Sequence, residues 1–140
     1  MAVARFPDGT CVDAVGIHDR RPDNSDRDYG FYLDASWRPT WNADVIEWED
    51  FGLPIDTEAT ADAICKAFGR AKRGQRLELG CIGGLGRTGT VLACMAILAG
   101  VAPDQAVQWV REHYDPFAVE TPEQEEWVLW FAEHMSKKAM

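Results

Sequence analysis

Cys81 and Arg87 enclose the glycine-rich run CIGGLGR, and Thr88, Gly89 and Thr90 follow at once. Cysteine carries an intrinsically strong nucleophile. Arginine offers a planar fork that binds two oxygens of a tetrahedral anion. Glycines let successive backbone N–H groups curl inward around oxyanions. The preceding stretch, Leu77–Cys81, reads as a short buried strand. The following stretch, TVLACMAIL, is apolar nearly all round and reads as a central helix reaching about Ala99. A strand, a glycine loop and a helix N-terminus together make an anion site. The first amides of the helix lack internal partners, and the helix dipole is positive there. The same field favours the thiolate of a cysteine at the loop mouth. These residue types place a nucleophile under a phosphorus atom whose oxygens are held for in-line attack. The run is not a Walker A loop, since the GK[ST] ending is absent, and Gly84 and Gly86 alone do not make a strong dinucleotide fingerprint.

The elements that must position this loop are those of a mixed α/β chain. Residues 3–6 and 10–17 read as a hairpin around an Asp8-Gly9 turn, followed by a polar loop over 18–28. Short strands are expected at 30–34 and 43–48, and a loop marked by Gly52 and Pro54 at 49–56. A helix over 57–73 carries Ala61, Ile64, Cys65 and Phe68 at i, i+3, i+4 and i+7. Pro103 opens another helix reaching about Tyr114. Thr121, Pro122 and Gln124 form a capping box for the last helix, whose apolar stripe is Trp127, Val128, Phe131 and Met135. This order predicts an α/β fold with a mostly parallel central sheet flanked by helices, in one domain over 1–140.

With 140 residues, 46% apolar and 26% charged, the chain has a soluble globular profile. No apolar run is long enough to span a membrane, and MAVARFPDGT lacks the apolar core of a secretory signal, so a cytoplasmic location is expected. There the four cysteines are expected as free thiols. His18, His113 and His134 show no ligand spacing to a cysteine, so no metal is expected. A net charge of −9 argues against nucleic acid and anionic membranes as partners. The basic cluster Lys66, Arg70, Lys72, Arg73 and Arg76 reads as a solvated helix face and turn.

The string Cys81, Gly84, Gly86, Arg87, Thr88, Gly89 resembles the signature loop of the cysteine-dependent protein tyrosine phosphatase superfamily, in the form used by its tyrosine and dual-specificity branches. WEDFGLP, 48–54, resembles the family's mobile acid loop, and ETPEQ, 120–124, its glutamine loop. The chain has the length of the dual-specificity group. The resemblance implies that Cys81 is the nucleophile and that Ile82, Gly83, Gly84, Leu85, Gly86 and Arg87 hold the phosphate. It implies that Thr88 hydrogen-bonds the Cys81 sulfur and that Asp50 is the general acid, with Glu49 and Asp44 as nearest rivals. For Gln124 it implies water positioning, beside the structural role in the capping box. No cofactor is implied. Three departures stand out: Gly80 where the family has histidine, Glu49 where it has proline, and Glu120 where it often has glutamine.

The expected reaction is phosphomonoester hydrolysis through a cysteinyl-phosphate, on a phosphotyrosine or dual-specificity protein substrate. The alternatives are a catalytically impaired phosphate-binding module and a phosphatase of a small metabolite or nucleotide. Uncharged loop positions Ile82 to Leu85 and the net charge disfavour inositol lipids and RNA 5′-ends. Tyr29, Tyr32, Trp37 and Trp41 are candidates either for the walls of a phosphotyrosine pocket or for ordinary packing.

Overall fold

The computed structural model describes residues 2–16, 27–35, 37–83 and 85–138. The chain opens with β1 (Ala2–Arg5) and β2 (Cys11–Gly16), paired antiparallel. Their turn is closed by Phe6 N–H donating to Thr10 O at 2.8 Å and by the Asp8 carboxylate accepting from Thr10 N–H. Gly9 sits at φ 89°, which only glycine adopts freely.

β3 (Tyr29–Tyr32), β4 (Ala43–Val45) and β5 (Leu77–Cys81) complete a five-stranded sheet in the order β1-β2-β5-β3-β4. All pairs beyond the first hairpin are parallel. The expected mostly parallel sheet is what forms. β5 lies at its centre, buried at every position. The C-terminal ends of β3, β4 and β5 therefore share one edge, the edge where open parallel sheets bind ligands.

The helices are α1 (Thr57–Lys72), α2 (Gly86–Leu98), α3 (Ala106–His113) and α4 (Pro122–Lys138), with a single 3-10 turn at Pro103–Gln105 leading into α3. α1 begins where the Asp56 side chain accepts from Ala59 N–H at 3.0 Å, a cap that satisfies an otherwise orphaned donor. It ends at Gly74, φ 91°. α4 begins with Thr121 Oγ1 accepting from Gln124 N–H at 3.1 Å, as its capping sequence dictates.

Strand alternation sends Val12, Ala14, Phe31, Leu33, Leu77 and Leu79 into one cluster with the apolar faces of all four helices. α2, buried along most of its length, is the pillar of that cluster. Residues one step out of phase face the other side of the sheet. There Val15, Tyr32 and Trp37 form a smaller cluster, with Trp41 packed against it. No helix among the described residues is long and apolar enough to cross a membrane.

Candidate active site

β5 ends on Cys81, which is 2% exposed, and the chain turns at once through the glycine loop into α2. Leu85 precedes the helix and no side chain caps it, so the first amides of α2 remain open to an anion. Thr88 Oγ1 lies 3.0 Å from Cys81 Sγ and donates to it. Ile82 and Gly83 are exposed, Leu85 is half-buried and Gly86 is buried. Gly84 falls outside the described residues.

Arg87 is the most constrained side chain in the site. It is 2% exposed, and its Nη1 donates to Leu33 O at 3.0 Å, Asp34 Oδ2 at 2.9 Å and Trp48 O at 2.7 Å. All three acceptors lie just past the C-terminal ends of β3 and β4. Two strands thus fix a residue carried by a helix. The other two guanidinium nitrogens, Nε and Nη2, are buried without a hydrogen-bond partner. A buried donor without a hydrogen bond is costly, and an anion is one group that could complete this pair. Asp34 was not singled out by sequence. The signal available was its place immediately after a strand of the parallel sheet.

The segment 48–54 folds back on itself through a bridge between Trp48 and Pro54. Its hub is Gly52 O, which accepts from the Trp48 indole N–H at 2.7 Å and from Gln124 Nε2 at 3.2 Å. Trp48 is buried against Trp127 of α4. This loop carries Asp50 to 3.6 Å from Arg87 Nη2, with the carboxylate more than half exposed. The ion pair to Arg87 comes from Asp50 rather than from its rivals. Asp44 sits on β4 and accepts from the Tyr29 hydroxyl, and Glu49 contributes its backbone carbonyl to the Gly52 turn.

Gln124 is fully buried, and both ends of its amide are engaged. Oε1 accepts from Glu120 N–H at 2.8 Å while Nε2 reaches Gly52. The amide therefore ties the start of α4 to the acid loop. Glu120 enters the site directly: a side chain at Gly86 would overlap its carboxylate. Loss of solvent, then the charge of Asp50, raises the Glu120 carboxyl above the ordinary glutamate range, while Arg87 pulls it down.

The aromatic residues near the N-terminus serve packing. Tyr32 and Trp37 are buried and stacked at 4.2 Å, and Trp41 meets the Tyr32 ring edge-on. Tyr29 lies under the Arg70 guanidinium, 3.8 Å from its ring centre. The exposed aromatic rings on the loops that adjoin the Cys81–Arg87 segment are instead Phe51 and Phe117, neither singled out for that place from sequence.

A buried cysteine with a hydroxyl on its sulfur, a buried arginine and a loop carboxylate thus lie at one sheet edge. No protein-family profile matches the chain. Two proteins of Methanocaldococcus jannaschii are similar in sequence. Uncharacterized protein MJECL20 is 39% identical over 127 residues, covering 81% of this chain and 80% of its own. Uncharacterized protein MJ0215 is 38% identical over 110 residues, covering 69% of this chain and 65% of its own. Among solved structures, Tk-PTP in its active form superposes with a TM-score of 0.63 at 21% identity, over 93% of this chain and 96% of that one. Human DUSP28 gives a TM-score of 0.75 at 11% identity, over 98% and 99%. The chain belongs to one family with MJECL20, and its fold is that of the tyrosine and dual-specificity phosphatases.

Proposed function

We propose that the protein hydrolyses phosphate monoesters, phosphotyrosine in protein substrates above all, through a cysteinyl-phosphate intermediate. The observation that carries this reading is the half-satisfied Arg87: Nη1 is locked by three acceptors, while Nε and Nη2 are buried without a hydrogen bond, Nη2 having only the Asp50 carboxylate at 3.6 Å. Those two nitrogens present the fork that two equatorial phosphoryl oxygens require. The open amides of α2 receive the remaining oxygen.

In the first step Cys81 Sγ forms a bond to phosphorus as the ester P–O bond breaks. Asp50, held over the site by its loop, gives the departing oxygen a proton. In the second step a water oxygen attacks the phosphorus, Asp50 takes the proton back, and the S–P bond breaks to release inorganic phosphate. The Thr88 hydroxyl, already on the sulfur, stabilises the departing thiolate. Gln124 serves by holding the acid loop through Gly52, and Glu120 adds a second carboxylate beside the attacking water.

Hydrolysis of a small aryl phosphate tests this directly. The wild-type protein should turn it over and vanadate should inhibit. Cys81→Ser should fall to the level of the protein-free control, and Arg87→Lys should lose about 100-fold to 1,000-fold in kcat/KM, as when one transition-state donor is removed. Undiminished turnover by either variant contradicts the mechanism.

A further inference from the structure

Two exposed aromatic rings flank a groove of about 480 Å³ beside the phosphate site, lined by Phe51, Arg111, Pro116, Phe117, Ala118, Val119 and Glu120. Phe51 is 59% exposed and Phe117 74%. Both walls are attached to the catalytic centre. Phe51 follows Asp50 in the acid loop, and Glu120 lies against Gly86 of the phosphate loop.

The backbone is strained at both walls. Phe51 (φ 59°) and Val119 (φ 61°) are the non-glycine residues with left-handed backbone among those described. That conformation is most costly for bulky and β-branched side chains, and such strain gathers at functional sites. Arg111 keeps the second wall in place: its Nε donates to Ala118 O at 2.9 Å and its Nη2 to Val119 O at 2.7 Å. Ala118 and Val119 are consequently buried while Phe117 between Pro116 and Ala118 projects outward.

We propose that this groove is a second substrate subsite, which takes an apolar side chain next to the phosphorylated residue of a protein substrate. The inference rests on the cysteinyl-phosphate reading above. The groove adjoins that site on two sides: Phe51 follows Asp50, which lies 3.6 Å from Arg87, and Glu120 lies against Gly86. Its cation offers nothing to a second phosphate, because Arg111 is engaged by two carbonyls and by Glu125 at 3.6 Å. Glu49, Asp50, Asp115, Glu120 and Glu123 stand in the surrounding segments, which disfavours acidic flanks and anionic lipid surfaces alike.

The test compares phosphotyrosine peptides carrying Leu, Ala or Asp at the two positions on either side of the phosphorylated residue. Each kcat/KM is divided by that for a small aryl phosphate, in the wild type, Phe117→Ala, Phe117→Leu and, as a distant control, Leu129→Ala. The wild type should favour a Leu flank over an Asp flank by about tenfold, the scale of one apolar side chain in a pocket. Phe117→Ala should erase most of that preference, Phe117→Leu should keep it, and Leu129→Ala should match the wild type. A wild type that turns over the aryl phosphate yet treats all peptides alike overturns the subsite alone. So does a Phe117→Ala variant that keeps the preference, or an inositol phosphate that outcompetes every peptide. A wild type inert toward the aryl phosphate removes the reading beneath it as well.

Discussion

Glu120 places a second carboxylate in a site whose sequence resemblance led one to expect a neutral amide. It touches Gly86, feels the charge of Asp50, and feels the opposite charge of Arg87. Its proton affinity is raised in the folded state, so ionised Glu120 opposes folding at neutral pH. That penalty disappears as pH falls through the raised value toward the ordinary glutamate range, where folded and unfolded chains are both protonated. Glu120→Gln should therefore be slightly more stable than the wild type at pH 7, and the gain should vanish near pH 4 in a series of Tm measurements. The residue is largely solvent-exposed, which keeps the effect small. A gain that grows on acidification would contradict the placement of Glu120. At this scale the sequence was informative about chemistry and silent about support. Cys81, Thr88, Arg87 and Asp50 carry their own chemical signatures, and the structure pairs Thr88 with Cys81 and Asp50 with Arg87. Asp34 has no such signature, because its partner Arg87 stands 53 residues away and only the parallel pairing of β3 with β5 joins them. The glycines also divide their labour. Gly86 leaves room for Glu120, and Gly89 leaves room for Ala118, whose Cβ stands 2.7 Å from where a side chain would begin.

Among elements, the loop over 48–54 is the one on whose geometry the proposed catalysis depends most. Gly52 O receives two donors, one from within the loop and one from α4. Trp48→Phe keeps the ring against Trp127 but removes the indole donor. We expect kcat for aryl phosphates to fall about tenfold, because a small displacement of a positioned acid is expensive in rate. The loss should be steeper for substrates with poor leaving groups, which need the proton most. An equal loss for all leaving groups would show that the loop does not present the acid. The helices were legible because their ends are written locally: Asp56 and Thr121 cap, and Gly74 stops. β4 is shorter than its expected span, ending at Val45, because the chain leaves the sheet to form the Trp48–Pro54 bridge. That departure depends on α4, far away in sequence.

For the molecule as a whole, the sheet divides two unlike environments. One face bears the main core and the helices, and the other carries a polar network inside an aromatic shell. Glu78, fully buried at the centre of β5, accepts from the Tyr32 hydroxyl at 2.5 Å and pairs with Arg27 at 3.6 Å. Arg27 lies over Trp41, whose indole N–H donates to the same hydroxyl at 2.9 Å. Burial, and then Glu78, push the Tyr32 hydroxyl well above its ordinary range. Alternation of Leu77, Glu78 and Leu79 hinted at two faces, yet a buried carboxylate reads from sequence as an exposed one. The same shell explains Gly80. A side chain there would begin 3.0 Å from Trp37 Cζ2 and 3.0 Å from Val15 Cγ2. Gly80→His should therefore destabilise the fold by about 1–3 kcal/mol in a denaturant titration, the cost of overpacking. A more stable variant would show that the shell has room to spare.

The central claim is that phosphate passes through the Cys81 sulfur. Rapid acid quench during turnover of an aryl phosphate, followed by mass spectrometry of the peptides, reads this step without reference to substrate specificity. One phosphoryl group is expected on the peptide bearing Cys81, accumulating further in Asp50→Asn with an aryl phosphate of good leaving group, because no carboxylate then takes the proton from the attacking water. Turnover that proceeds with no phosphoryl group on Cys81, or with the group on another residue, would contradict the claim.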